Sequence, residues 1–220
     1  MSNCRLCHNL RAGSTANLWD RPVVESPNFI GVPSLGALVP GWMLLLPKNH
    51  YLAMGAIPGS AIREMEEVKC ALVSRLERAY GELSAFEHGP GGPEREVGCG
   101  VDHAHLHLVP VKIDLARAVL PLLPRGVGWS EARVDDCRVA FEGGVDYLYL
   151  EQPLGRGRIA VNDHFGSQVF RRAIASDLRI ENEYNWRDYP QIDNIVSTVR
   201  TLQGAPGERS IRRAEVERVA

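Results

Sequence analysis

The sequence predicts an α+β fold: an antiparallel sheet of about five strands with one long helix, followed by a C-terminal α/β extension. Three observations carry this expectation. Over residues 61–80 the apolar side chains Ile62, Met65, Val68, Ala71, Leu72, Leu76 and Ala79 recur at steps of three and four, which is the stripe of an amphipathic helix. The runs 42–46 and 103–111 have the length and the apolar or alternating character of strands. Between residues 20 and 125 the elements follow in the order strand, strand, helix, strand, strand, which suits an antiparallel sheet.

The elements take their limits from local chemistry. Cys4-Arg5-Leu6-Cys7 opens the chain, and a polar stretch expected to be irregular runs on to Asp20. Residues 22–34 give one or two short strands, interrupted at Pro27 and Pro33. Pro40 and Gly41 close a turn over 36–41; the buried strand 42–46 then ends at Pro47. Ser60 is the expected N-cap of the long helix and Gly81 its C-cap. A strand is expected over 83–87, and the five glycines and two prolines of 88–100 make a turn-rich loop. The strand at 103–111 stops near Pro110, and 115–123 is a short helix. Residues 145–152 and 158–162 pair across a turn at 155–157, Ser167 caps a helix over 167–178, and a further helix covers 192–202. The expected organisation is therefore a core with its N-terminal segment (1–125), an extension packed on that core (126–203), and a flexible charged tail (204–220).

Composition removes several classes of function. With 25 basic residues against 27 acidic ones, the formal net charge is −2, so no bulk electrostatic attraction for nucleic acid is expected. No apolar run approaches the ~20 residues that span a bilayer. Residues 1–11 are polar and lack the apolar stretch of a secretory signal. Five cysteines without such a signal point to a reducing, cytoplasmic setting and not to a disulfide framework.

The most informative stretch is Asp102-His103-Ala104-His105-Leu106-His107-Leu108-Val109-Pro110. On a strand the three histidines share one face, about 6.5–7 Å apart, while Ala104, Leu106 and Leu108 face a core. Imidazole serves as nucleophile, general acid–base or metal ligand near neutral pH. A solvated strand face or a plain metal site is the bland alternative, and the strict alternation after a glycine-rich loop argues against it.

His-x-His-x-His followed by apolar residues resembles the signature of the histidine-triad (HIT) superfamily of nucleotide hydrolases and transferases. Further pieces match in order over residues 4 to about 112: Gly41-Trp42-Met43-Leu44-Leu45-Leu46-Pro47-Lys48-Asn49-His50, the helix at 61–80, and Gly98-Cys99-Gly100-Val101 as a phosphate-binding turn. The resemblance implies a HIT-like catalytic domain in which His105 attacks the α-phosphate of a nucleotide to form a nucleotidyl-histidine, later released by water. His107 would contact the same phosphate or the leaving oxygen, and the backbone N–H groups of 98–101 would hold the phosphoryl oxygens. Dinucleoside polyphosphates or other nucleotidyl conjugates are the implied substrates. Transfer to a non-water acceptor and zinc-stabilised nucleotide binding with little turnover are the alternatives. Members of the superfamily often form dimers, so a homodimer is a further expectation of the resemblance.

Cys4-x-x-Cys7 alone fits two buried thiols, a redox pair or half a zinc site. The zinc-bearing branch of the superfamily takes ligands from an early Cys-x-x-Cys, the histidine after the strand's proline and the first triad histidine. Here that implies structural Zn²⁺ held by Cys4, Cys7, His50 and His103, a soft set suited to zinc. His8 reads as a solvated histidine. Cys70, Cys99 and Cys137 read as packing residues.

The chain also departs from the superfamily's pattern. Trp42 stands where many members carry a histidine, Ser34-Leu35-Gly36-Ala37 lacks the acid that small members place on the ribose, and the third triad position is His107 where the transferase branch has glutamine. In Phe86-Glu87-His88-Gly89, His88 is either a substrate contact or a strand-end residue hydrogen-bonded to the loop. Ser167-Gln168-Val169-Phe170-Arg171-Arg172 and Asn185-Trp186-Arg187 resemble elements of a bacterial subgroup of larger HIT-like proteins. Gln168 and Arg171 (or Arg172) would there reach a polyphosphate; a solvated helix face is the other reading.

Overall fold

Eight strands form one antiparallel sheet in the computed structural model, which describes residues 4–12, 17–95, 97–98, 101–153 and 156–203. They are β1 (Val24–Glu25), β2 (Phe29–Pro33), β3 (Met43–Pro47), β4 (Ser84–Gly89), β5 (Leu106–Val109), β6 (Ser130–Glu131), β7 (Tyr147–Glu151) and β8 (Arg158–Val161), in the order β1-β2-β3-β5-β4-β7-β8-β6. The expectation of about five strands is thus corrected to eight. β7 pairs with the free side of β4 over the register Ala85↔Glu151 to Gly89↔Tyr147, and β8 and β6 follow it. An unpaired β4 edge would leave buried N–H and C=O groups without partners, and β7 satisfies them.

Among the described residues six α-helices accompany the sheet: α1 (Arg5–Ala12), α2 (Gly59–Tyr80), α3 (Leu115–Val119), α4 (Cys137–Glu142), α5 (Val169–Asp177) and α6 (Ile192–Gln203). α1 and α4 were not expected; the polar segment after Cys4 folds into a helix that buries Leu6 and Cys7. α2 starts at Gly59 with Pro58 before it, so Ser60 lies inside the helix and no side chain caps it. Gly81 ends it as expected, at φ +84°, with its N–H on the Glu77 carbonyl. α5 starts two residues after Ser167, behind Gln168 at φ +57°, again without a side-chain cap. The expected turn at 155–157 and the tail at 204–220 fall wholly or partly outside the described residues.

The period-two alternation of the strands sorts the core into faces. Met65, Val68, Leu72 and Leu76 of α2 pack on Met43, Leu45, Ala104, Leu106 and Leu108. Each fully buried Leu contributes about 1.5–3 kcal/mol. Gly31 permits this close approach, since a Cβ there would lie 2.5 Å from the Leu72 side chain. On the opposite face Trp42, Phe86, Leu148 and Leu150 are covered by Leu115, Phe170, Ile174 and Ile195 from the later helices. Leu6, Ile30, Val32, Leu44 and Leu46 make a third, smaller cluster beneath α1. Glu87, on the α2 side of β4, ties the segment after His50 to the sheet: its carboxylate accepts the Met54 N–H at 2.6 Å and the Tyr147 hydroxyl at 2.5 Å. Burial pushes that carboxyl up to about 7. Among the described residues no helix is long and apolar enough to cross a membrane.

Candidate active site and metal centre

The row of histidines does not stay on one strand. β5 begins only at Leu106, three residues later than expected, because the Ala104 N–H bonds to the Tyr51 carbonyl at 2.6 Å and His103 closes a turn onto Val101. His103 is thereby turned toward the cysteines, while His105 and His107 stay side by side with ring centroids 4.9 Å apart. Ala104, Leu106 and Leu108 lie in the α2-side core, on the face opposite the histidines, as the alternation requires.

The two remaining imidazoles are held in opposite tautomers. His105 Nδ1 lies 2.7 Å from the His103 carbonyl oxygen, which can only accept. Nδ1 therefore carries the proton, and Nε2 of the neutral ring is a bare lone pair. Burial lowers the His105 pKa to about 4, against the carbonyl hydrogen bond that raises it; the charges of His103 and Arg5 add to the lowering. His107 is the reverse. Its Nδ1 receives the Trp42 Nε1–H at 2.9 Å, and an indole N–H can only donate. The His107 proton therefore sits on Nε2, a buried donor with no hydrogen-bond partner among the described residues. Burial keeps this ring neutral, its pKa well below the ordinary value. The ring is clamped flat on Phe86, centroids 4.6 Å apart and planes 22° from parallel.

A bare nitrogen beside an unused N–H donor suits attack at a centre that develops negative oxygen charge. Buried unpaired donors are rare in folded proteins, and one facing a cleft calls for an acceptor from outside the chain. The Trp42 bond gives a direct test. Heteronuclear NMR of the imidazoles is expected to show His105 as the Nδ1–H and His107 as the Nε2–H tautomer. Trp42→Phe should return His107 to a mixture of tautomers while His105 keeps its form; an unchanged His107 would contradict the assignment.

His105 and His107 line a cavity of about 30 Å³, roughly the space of one water, together with Val101, Arg171, Arg5 and Trp186. Of the residues expected from sequence, Val101 and Arg171 thus join the pair. Arg171 is almost fully buried, its Nε on the Tyr184 carbonyl at 2.7 Å, another nitrogen on the Gly36 carbonyl, and its guanidinium 4.9 Å above Trp42. Gly98 stands further off and receives the Ser167 hydroxyl on its carbonyl, while Cys99 and Gly100 lie outside the described residues. His88 and Gln168 do not line the cavity. His88 is buried and its Nε2 accepts the Phe170 N–H at 3.3 Å; burial, with His105 and Arg171 nearby, lowers its pKa to about 3. Gln168 is 4% exposed and donates to Asn185. Gln168 and Arg171 are buried, not on a solvated helix face, and His88 sits near the end of β4.

Sequence reasoning passed over two of the cavity's residues. Arg5 was given no role between the two cysteines, and Trp186 stood only as part of an Asn-Trp-Arg element. The sole signal for either was position: one between two ligand-type residues, one in a short motif of the extension.

The donor atoms of Cys4, Cys7, His50 and His103 all lie within 4.8 Å of one another. Cys4 Sγ is 3.5 Å from His103 Nδ1, and Cys7 Sγ is 3.3 Å from His50 Nδ1 and 3.5 Å from His103 Nδ1. Bonds of about 2.3 Å to sulfur and 2.05 Å to nitrogen at tetrahedral angles would set those atoms about 3.6 Å apart, so the residues fit a four-coordinate ion. His103 Nε2–H donates to the Pro47 carbonyl at 2.8 Å, which leaves its Nδ1 lone pair toward the thiols. His8 is exposed and stands outside this group.

No protein-family model and no curated protein matches the chain. Among the solved structures similar to it are the following three. A hypothetical histidine triad nucleotide-binding protein from Sulfolobus tokodaii is 17% identical, with TM-score 0.41 over 50% of this chain and 71% of that one. A HIT family hydrolase from Clostridium thermocellum is 17% identical, with TM-score 0.39 over 52% and 94%. A zinc-bound histidine triad family protein from Mycobacterium smegmatis is 18% identical, with TM-score 0.40 over 64% and 92%.

Proposed function

We propose that this chain is a nucleotide phosphohydrolase acting at the α-phosphate of dinucleoside polyphosphates or other nucleotidyl conjugates. The observation that carries the reading is the pair of opposite tautomers at His105 and His107. His105 Nε2 attacks phosphorus in line; the bond from phosphorus to the leaving group breaks, and its electron pair leaves with that group. The ring becomes a nucleotidyl-imidazolium whose charge is eased by the Nδ1–H bond to the His103 carbonyl. His107 Nε2–H binds a phosphoryl oxygen or the leaving oxygen as charge builds. Water then attacks phosphorus and gives up a proton to bulk solvent, the N–P bond returns its pair to Nε2, and a nucleoside monophosphate is released. Val101 lines the cavity beside the two histidines, and Arg171 adds its positive charge to it.

Zinc on Cys4, Cys7, His50 and His103 is part of the same proposal. A closed set of four protein ligands makes it structural, and when bound it would tie α1 to the end of β3 and to the residue whose carbonyl orients His105.

Partition of the adduct tests hydrolysis. The enzyme is given a nucleotide labelled at the α-phosphate, and release is measured in water alone and with inorganic phosphate or an alcohol added. The hydrolase reading expects water to release most of the label as nucleoside monophosphate at all acceptor concentrations. Release that requires an acceptor would make the chain a nucleotidyltransferase, and binding without any release would make it a nucleotide-binding protein.

A further inference from the structure

We infer that Arg5 is the subsite for a second phosphate, so that the preferred substrate carries a phosphoanhydride whose leaving group is itself anionic. This rests on the proposed attack by His105 and deepens it. Arg5 and Arg171 are the charged side chains, histidines aside, that line the cavity beside His105 and His107, and both are cationic. Their roles differ. Arg171 is committed to the Tyr184 and Gly36 carbonyls and to the face of Trp42. Arg5 is half-buried, and its Nε is buried without a hydrogen-bond partner among the described residues.

Arg5 is held in place from three directions without that donor being used. One guanidinium nitrogen stands 3.7 Å from Asp20. The guanidinium sits 5.8 Å from the Trp186 ring centroid, a cation–π seat supplied by the C-terminal segment. Its backbone lies between Cys4 and Cys7 in the first turn of α1, so an ion on the four-residue cluster would fix the turn that presents it. The Trp186 seat needs Gly36: at φ +76° that residue lets Trp186 lie against it, where a Cβ would meet the Trp186 Cβ at 2.4 Å. A fork of N–H donors with one member unused, next to a nucleophile for phosphorus, is matched to the oxygens of an adjoining phosphate.

The test uses the full metal-loaded chain and two substrates with the same nucleotidyl group, one leaving as a phosphate and one as a neutral amine from a phosphoramidate. Arg5→Gln should lower kcat/KM about 10- to 100-fold on the anhydride and leave the phosphoramidate within about threefold. Trp186→Leu, which replaces none of the four cluster residues, should give a selective loss of the same kind. Calorimetry with inorganic pyrophosphate should show binding to the wild-type chain that weakens at least tenfold in Arg5→Gln. Equal losses on both substrates, no loss on either, or pyrophosphate binding that ignores Arg5 would overturn the subsite. If the wild-type chain turns over neither substrate, the hydrolase reading fails, and pyrophosphate binding alone decides Arg5.

Discussion

Replacing His105 by alanine is expected to lower turnover at the α-phosphate by about 10⁴-fold or more, with the fold kept. Loss of a nucleophile removes the covalent route altogether, and the residual rate comes from binding and from the donors that remain. His107→Ala should be milder, about 10²–10³-fold in kcat with little change in KM, since it removes one donor to charge that develops on the way to the adduct. The contrast follows from the tautomers: His105 presents a lone pair fixed by the His103 carbonyl, and His107 presents a proton fixed by Trp42. Steady-state kinetics on nucleotides labelled at the α-phosphate measures both. Equal and small effects would mean that neither imidazole meets phosphorus.

Stripping the metal is expected to have the second large effect. The cluster joins three separate parts of the chain: α1 and the residue before it, the residue after β3's turn, and the approach to β5. Without an ion, two thiols and two imidazoles crowd together with only weak hydrogen bonds between them. Chelation should therefore release one ion per chain and lower Tm by about 10–20 °C, which is roughly 4–5 kcal/mol for a chain of this size. Cys7→Ser should do the same without a chelator. Metal analysis with thermal denaturation decides the matter, and a chain that keeps its Tm after losing its metal would sink the structural role. Activity should fall alongside, because His103 is both a ligand and the source of the carbonyl that orients His105.

What could be read from the sequence was local and periodic. The stripe Met65–Val68–Leu72–Leu76 located α2 and its buried face, and the alternation of Ala104, Leu106 and Leu108 separated the core face of that stretch from the histidine face. The histidine row and the early Cys-x-x-Cys pointed to chemistry through residue type and spacing. What was missed depends on contacts distant in sequence. Nothing in the period of β4 or β7 says that Glu87 pairs with Tyr149, so the sheet was counted short. α1 is polar and short, and it holds its helix by burying Leu6 and Cys7, a tertiary effect that outweighs propensity. His103 leaves the strand because Tyr51 captures the next N–H, an event written 52 residues upstream. Arg5 and Trp186 meet from opposite ends of the chain, and no local pattern joins them.

The most direct test of the account is to trap the intermediate on its residue. The enzyme is mixed with a nucleotide substrate, quenched within one turnover, digested under alkaline conditions that preserve phosphoramidates, and mapped by mass spectrometry. The account expects a nucleotidyl group on the peptide that carries His105, absent from the His105→Ala chain. An adduct on another residue, or product formed in the first turnover with no adduct at all, would contradict it.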